Sequence, residues 1–287
     1  MKQNLLQQMT ARMPEFSKGQ RLIAQYILDH YDRAAYLTAS RLGALVEVSE
    51  STVVRFANEL GFAGYPEMQR ALQELARTNL TAVQRMEVAD NLLDKDTVLD
   101  KVLLSDADKI RHTLDAIDRE AFYAAVEKIV SARNIYILGV RSAAALADFL
   151  TFNFRMMFDN VRAVEGTTGT EIFEQLLDIG AEDVFIAISF PRYSKRTVRA
   201  VEFAHCAGAD VVALTDSVTS PLANDCDQLL TARSDMASFV DSLVAPLSII
   251  NAMVAAVSMR KHDEVTKRLH RLETIWDEYD VYDKNNG

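Results

Sequence analysis

The sequence predicts two dissimilar modules: an all-α N-terminal domain, then an α/β domain on a doubly wound parallel sheet of five strands. Three observations carry this. Short helical periods separated by polar turns fill residues 16–61, and from Asn134 onward short β-rich runs alternate with helical stretches. The 287 residues are 49% hydrophobic and 25% charged, an ordinary globular composition with enough apolar material for more than one core.

In the stretch FSKGQRLIAQYILDHYDRAAYLTASRLGALVEVSESTVVRFANELGF, Leu22, Ile23, Tyr26 and Ile27 give the first helix its apolar stripe. Thr38 is a suitable N-cap for a short second helix carrying Leu42 and Leu45. Ser49 caps a third, which ends at Gly61, a residue suited to a left-handed helix terminus. Between the second and third helices lies a tight Glu47-Val48-Ser49 turn. Val53, Phe56, Ala57 and Leu60 recur at helical spacing and form the buried side of the third helix, while Ser51, Thr52, Arg55 and Glu59 lie elsewhere on it. Small hydroxyl residues at a helix N-terminus let the backbone approach phosphate, and an arginine one turn later reaches a base edge or a backbone oxygen. Periodicity alone favours a plain three-helix bundle with a solvated polar face.

The motifs LTASRLGALVEVS and VSESTVVRFANELGFAGYPEMQRAL resemble the N-terminal DNA-binding domain of the RpiR (MurR/RpiR) family of bacterial transcription regulators. That resemblance implies operator DNA as a partner and Lys18, Ser49, Ser51, Thr52 and Arg55 as the residues that meet it. These domains commonly place Gly in the turn before the recognition helix; here the position holds Glu47, which brings backbone strain and a negative charge near DNA.

Residues 78–94 show little apolar periodicity and read as a linker or loose helix. Two helical segments follow, Asp96 to Ile117 and Asp118 to Ser131, the second opened by an Asp N-cap. NIYIL, VRAV, DVFIAI, DVVALT and QLLT are then the five strands. A doubly wound sheet binds ligands outside the carboxyl ends of its strands, at the topological switch point. In the flavodoxin-like order that point lies between the first and third strands, beside Gly139, Arg141 and Ser142 after one and the basic loop AISFPRYSKRT after the other. Backbone N–H groups at helix N-termini together with arginine suit an anion.

GVRSAAALADFL, ISFPRYSKRTVRAVEFAHCAGADVVALTDS and SPLANDCDQLL resemble a sugar isomerase (SIS) domain, the phosphosugar-binding module that also serves as the sensor of RpiR regulators. The resemblance places Ser142 in the first phosphate-binding loop and Ser189, Ser194 and Thr197 in the second. The common second motif is Ser-x-Ser-Gly-x-Thr. This chain has three extra residues there and Lys195 in the glycine place, so Arg192, Tyr193 and Lys195 join the expected contacts, with Arg192 and Lys195 supplying side-chain charge.

The domains expected are 1–77 for DNA binding, 78–117 as linker and connecting helix, 118–260 for the effector and 261–287 as a C-terminal helix and tail. Net charge is −10, with 9 Lys/Arg against 8 Asp/Glu in 1–77 and 22 against 33 beyond, so the DNA reading rests on the motif and not on charge. Two cysteines cannot build a disulfide framework, and the N-terminus lacks signal-peptide features, which points to the cytoplasm. Ser238 to Met259 approaches membrane-span length but contains Asp241, Pro246 and Asn251. It reads as a buried helix of the core or of a subunit interface, with no membrane role.

Glu171 has the chemistry of a general base for a sugar, but it reads better as a polar first-turn residue of a helix starting near Thr168. His205 and Cys206 read as a helix-surface histidine and a buried thiol. Five scattered histidines have no metal-ligand spacing, and no cofactor or catalytic constellation is implied. The expected function is a homodimeric or tetrameric regulator, not an enzyme, that binds operator DNA and senses a phosphosugar or sugar acid. The alternative is a phosphosugar isomerase with a helical accessory domain.

Overall fold

A computed structural model describes residues 5–79, 81–92, 96–166, 169–236 and 238–282. Helices α1 (Leu5–Arg12), α2 (Lys18–Asp29), α3 (Tyr31–Ala34), α4 (Ala39–Leu45), α5 (Glu50–Glu59), α6 (Tyr65–Asn79), α7 (Ala82–Leu92), α8 (Val98–Ala116) and α9 (Arg119–Ser131) precede the first strand. Then come β1 (Ile135–Gly139), α10 (Ala144–Met157), β2 (Val161–Ala163), α11 (Gly169–Gln175), β3 (Val184–Ile188), α12 (Lys195–Cys206), β4 (Asp210–Thr215), β5 (Gln228–Thr231), α13 (Val244–Arg260) and α14 (His262–Glu278). The chain divides into two compact units, Met1–Lys101 with Met236–Asp241, and Val102–Asp235 with Ser242–Gly287.

In the first unit both expected N-caps form: Thr38 accepts the Arg41 N–H at α4, and Ser49 accepts the Thr52 N–H at α5. Ser17 and Gln20 add a reciprocal capping box at α2. Ile23, Ile27, Leu42, Val53, Phe56 and Ala57 are fully buried, and the Phe16 and Phe56 rings meet edge to face at 5.1 Å. Two residues of the expected stripes are not core: Leu22 is 46% exposed and Leu45 56%. Where a linker or loose helix is expected, the described residues are helical: α6 runs on to Asn79 and α7 follows, burying Arg85, Val88 and Ala89.

In the second unit the sheet order is β2-β1-β3-β4-β5 and every pairing is parallel. Successive side chains alternate between faces. Ile135, Ile137, Ile186 and Val212 pack with α9, α10 and α13, while Tyr136, Leu138, Phe185 and Val211 pack with α11 and α12. Both faces are covered, which is why β3 is buried along its whole length. Under the amino ends of β1 and β3, the fully buried Asp183 carboxylate accepts from Arg133 Nε and Nη2 at 2.9 and 2.6 Å, from Asn134 at 2.9 Å and from the Gly180 N–H at 2.9 Å. Its burial alone would raise its pKa; these four donors hold it below the ordinary carboxylate value.

Helix α13 begins at Val244, not near Ser238; Met236 and Asp241 instead form an isolated bridge ahead of it. Its apolar residues Ile249, Ile250, Met253 and Val257 lie in its own unit's core, and Ala245 is buried as well. Among the described residues no helix is long and apolar enough to cross a membrane. Cys206 is exposed, not buried, because it falls on the outer side of the last turn of α12, next to the exposed His205.

Candidate functional site

The α4–α5 turn is built by close approach. A Cβ on Gly43 would stand 2.7 Å from the Val48 carbonyl oxygen, whereas the bare glycine lets its own carbonyl accept the Val48 N–H at 2.9 Å. Glu47 closes the turn at φ +56°, the left-handed region where the resemblance expects Gly. At the α5 N-terminus Ser49 Oγ lies 2.9 Å from Ser51 Oγ and 2.8 Å from Thr52 Oγ1. The exposed Arg55 donates from Nε to the Ser51 carbonyl at 3.2 Å, so its guanidinium lies over the first turn of the helix. Gly19, in the first turn of α2, faces Val48 and Thr52, which brings the exposed Lys18 to the same end of α5. All five expected DNA contacts gather around one helix N-terminus, and that geometry suits a phosphate or a base edge.

The second cluster forms at the strand ends. Gly139 pairs with Ile188, so the loops after β1 and β3 leave neighbouring strands at the same level. A Cβ on Gly139 would stand 2.4 Å from the Ala143 carbonyl oxygen, which is why the turn into α10 can be so short. Arg141 and Arg192, one in each loop, both have left-handed backbones, at φ +59° and +63°, and both are exposed. Strained non-glycine residues of this kind concentrate where a loop is held for binding.

Within the second loop Ser189 is buried at the end of β3, and Ser194 Oγ caps α12 by accepting the Arg196 N–H at 3.2 Å. Lys195 and Arg196 are exposed at that helix N-terminus, and Ser142 is exposed in the first loop. Thr197 is fully buried and its hydroxyl has no hydrogen-bond partner, in a protein interior where such groups are nearly always satisfied. The Tyr193 hydroxyl donates to Asp216 Oδ1 at 2.6 Å, tying the extended loop to the end of β4. Asp216 also accepts from Thr215, whose hydroxyl lies 2.9 Å from Ser220.

Sequence reasoning did not single out Asp216. The available signal was an acid immediately past a strand's carboxyl end, in a Thr-Asp-Ser run beside the switch point. Glu171 sits in the first turn of α11, while Thr168, taken as the start of that helix, lies outside the described residues. Among the described residues no group of His, Cys, Asp and Glu is placed to hold a metal ion.

Fold and clusters together define a class: a helix-turn-helix module joined to a doubly wound α/β module with an exposed arginine in each loop at its switch point. The sequence model described as the helix-turn-helix domain of the rpiR family matches residues 3–78, and that described as the SIS domain matches residues 128–256. The chain belongs to the RpiR family of helix-turn-helix transcription regulators, with a SIS domain as its second module. It is similar to the HTH-type transcriptional regulator HexR of Pseudomonas aeruginosa, 26% identical over 282 residues that span 94% of each chain. HexR of Escherichia coli is 24% identical over 279 residues, 94% of this chain and 93% of that one. The sugar isomerase domain of an RpiR transcription factor from Sphaerobacter thermophilus matches with TM-score 0.58 and 27% identity, covering 62% of this chain and 99% of that one. NanR of Vibrio vulnificus, complexed with ManNAc-6P, shares the fold with TM-score 0.57 and 22% identity over 95% of this chain and 99% of its own.

Proposed function

We propose that this regulator binds operator DNA through the N-terminal end of α5 and senses a small anionic metabolite, a phosphosugar or sugar acid, between the loops after β1 and β3. The observation that carries the reading is the convergence of Arg141, Arg192 and the α12 N-terminus on one pair of strand ends, beside the orphaned Thr197 hydroxyl. Guanidinium groups and helix N-termini favour a phosphate or carboxylate, and a buried hydroxyl without a partner favours a ligand oxygen. NanR, which has this fold, is described with ManNAc-6P bound, and that supports the phosphosugar class. The naming of both HexR relatives as transcriptional regulators supports regulation over isomerisation. To act as a signal, the effector must bind one conformational state of the protein more tightly than the other, since equal affinity shifts no population.

The test separates the two sites. Hexose and aminosugar 6-phosphates, with the corresponding sugar acids, are titrated into purified protein while melting temperature and affinity for the DNA upstream of its own gene are recorded. Arg55→Ala is expected to weaken operator binding by roughly tenfold or more while leaving effector-induced stabilisation intact. Arg192→Ala is expected to lose most of the effector-induced shift while the free protein still binds operator. A panel that moves neither readout counts against the sensor, and turnover of an aldose phosphate to its ketose at ordinary enzymatic rates overturns the regulator-only reading.

A further inference from the structure

Helix α10 puts four residues of mixed chemistry on one face. Asp148, Thr151, Phe152 and Arg155 recur at i, i+3, i+4 and i+7, and all four line a cavity of about 330 Å³. Trp276 reaches the same cavity from α14, and Glu165, just past the end of β2, reaches it from the sheet edge. The Tyr282 ring meets the Trp276 indole edge to face at 5.5 Å, which holds the indole in place. Gln175 clamps the Glu165 backbone from both sides: its Oε1 accepts the Glu165 N–H at 3.0 Å, and its Nε2 donates to the Glu165 carbonyl. All of these residues belong to the second unit.

Asp148, Arg155 and Glu165 are exposed, and among the described residues none of their charged ends has an ion-pair partner. Solvent satisfies such charges. It does not satisfy an indole and a phenyl ring that is 65% exposed, gathered round one concavity. The ligand that answers these walls has an apolar face and a rim of groups that both donate and accept. A phosphate or carboxylate has neither part, and it would meet two carboxylates against one guanidinium. An organic cation would have to lie beside Arg155. A pyranose sugar has both parts: its C–H groups form a face that lies against aromatic rings, and its hydroxyls donate to carboxylates and accept from a guanidinium.

We propose that this cavity binds one unphosphorylated pyranose, at a place separate from the anion site between the loops after β1 and β3. Its volume stands at the small end of ligand pockets, which begin at about 300 Å³, and so suits a single ring. In the sheet order the cavity lies by β2, on one side of β1, and the anion loops lie toward β3, on the other. Phe152 and Trp276 receive the C–H face of the sugar, while Asp148, Glu165 and Arg155 take its hydroxyls. The chain then reads a neutral sugar in one place and an anionic metabolite in another.

The test uses the full chain with D-glucose, D-mannose, D-galactose and N-acetyl-D-glucosamine, each followed by saturation-transfer NMR and by calorimetry. At least one is expected to bind with a Kd on the order of 1 mM, with the strongest transfer to its ring C–H protons. Phe152→Ala and Asp148→Ala are each expected to weaken that binding about tenfold or more. Both positions are exposed, so the melting temperature of the free protein is expected to stay where it is. Inorganic phosphate in excess, the probe for the strand-end loops, is expected not to displace the sugar. Absence of transfer to all four sugars overturns the proposal, and so does binding of choline in their place. Unchanged affinity in Phe152→Ala, or displacement by phosphate, overturns it as well, since either result puts the sugar elsewhere.

Discussion

At the scale of single residues, three left-handed backbones mark the two clusters: Glu47 in the helix-turn-helix turn, and Arg141 and Arg192 at the strand ends. An L-residue in that region costs about 1–2 kcal/mol, while glycine gives back roughly 0.5–1 kcal/mol through its looser unfolded chain. Glu47→Gly is therefore expected to stabilise the protein by about 0.5–1 kcal/mol in urea unfolding and, by removing a carboxylate beside DNA, to tighten operator binding. Unchanged stability would mean that the turn carries no strain. Thr197 makes the opposite kind of forecast. Its buried, unpartnered hydroxyl costs about 1–3 kcal/mol in the free protein, so Thr197→Val is expected to raise the melting temperature without effector and to abolish the effector's own stabilisation. A valine variant that still responds fully to effector would remove Thr197 from the site.

At the scale of elements, much of the fold is legible because each signal is local. Ser49, Thr38 and Asp118 cap the helices that their hydroxyls and carboxylate announce, and the five β-rich runs become the five strands. What is not legible depends on the neighbour. Leu22 and Leu45 follow helical periodicity yet lie outside the core, since periodicity fixes a stripe and not which stripe is covered. The exposure of Cys206 escapes periodicity for the same reason, and the start of α13 at Val244 escapes it because an apolar run has no marker for where a helix begins inside it. At the candidate effector site, residue types and their convergence could be read, but the left-handed arginines and the Tyr193–Asp216 bond follow only from backbone paths. Gly139 tests the junction of β1 with α10. With the Ala143 carbonyl 2.4 Å from an added Cβ, Gly139→Ala is expected to cost about 2 kcal/mol or more and to lose effector binding, measured by unfolding and by thermal shift. Wild-type values for both would mean that the turn can open at little cost.

At the scale of the whole molecule, the second unit has a built-in acid limit. The Asp183 pKa is depressed in the fold by Arg133, Asn134 and the Gly180 N–H against the opposing pull of burial. The stability this carboxylate contributes is complete above the ordinary value of about 3.9 and is lost as pH falls through the lower folded value. Acid unfolding is accordingly expected below about pH 4. Asp183→Asn is expected to cost about 2 kcal/mol at neutral pH and to flatten the acid limb, since Arg133 is half exposed and rehydrates part of its charge. A parallel acid limb in the variant would assign it to other carboxylates. The molecule also carries its own optical reporter. Its single tryptophan, Trp276 on α14, lies 5.5 Å from the Tyr282 ring and lines a cavity of about 330 Å³ with Phe152 and Arg155 of α10. Helix α10 begins just after the Gly139 to Ser142 loop and ends beside that indole, so fluorescence emission on adding a sugar phosphate reads whether occupancy at the strand ends is transmitted along the helix.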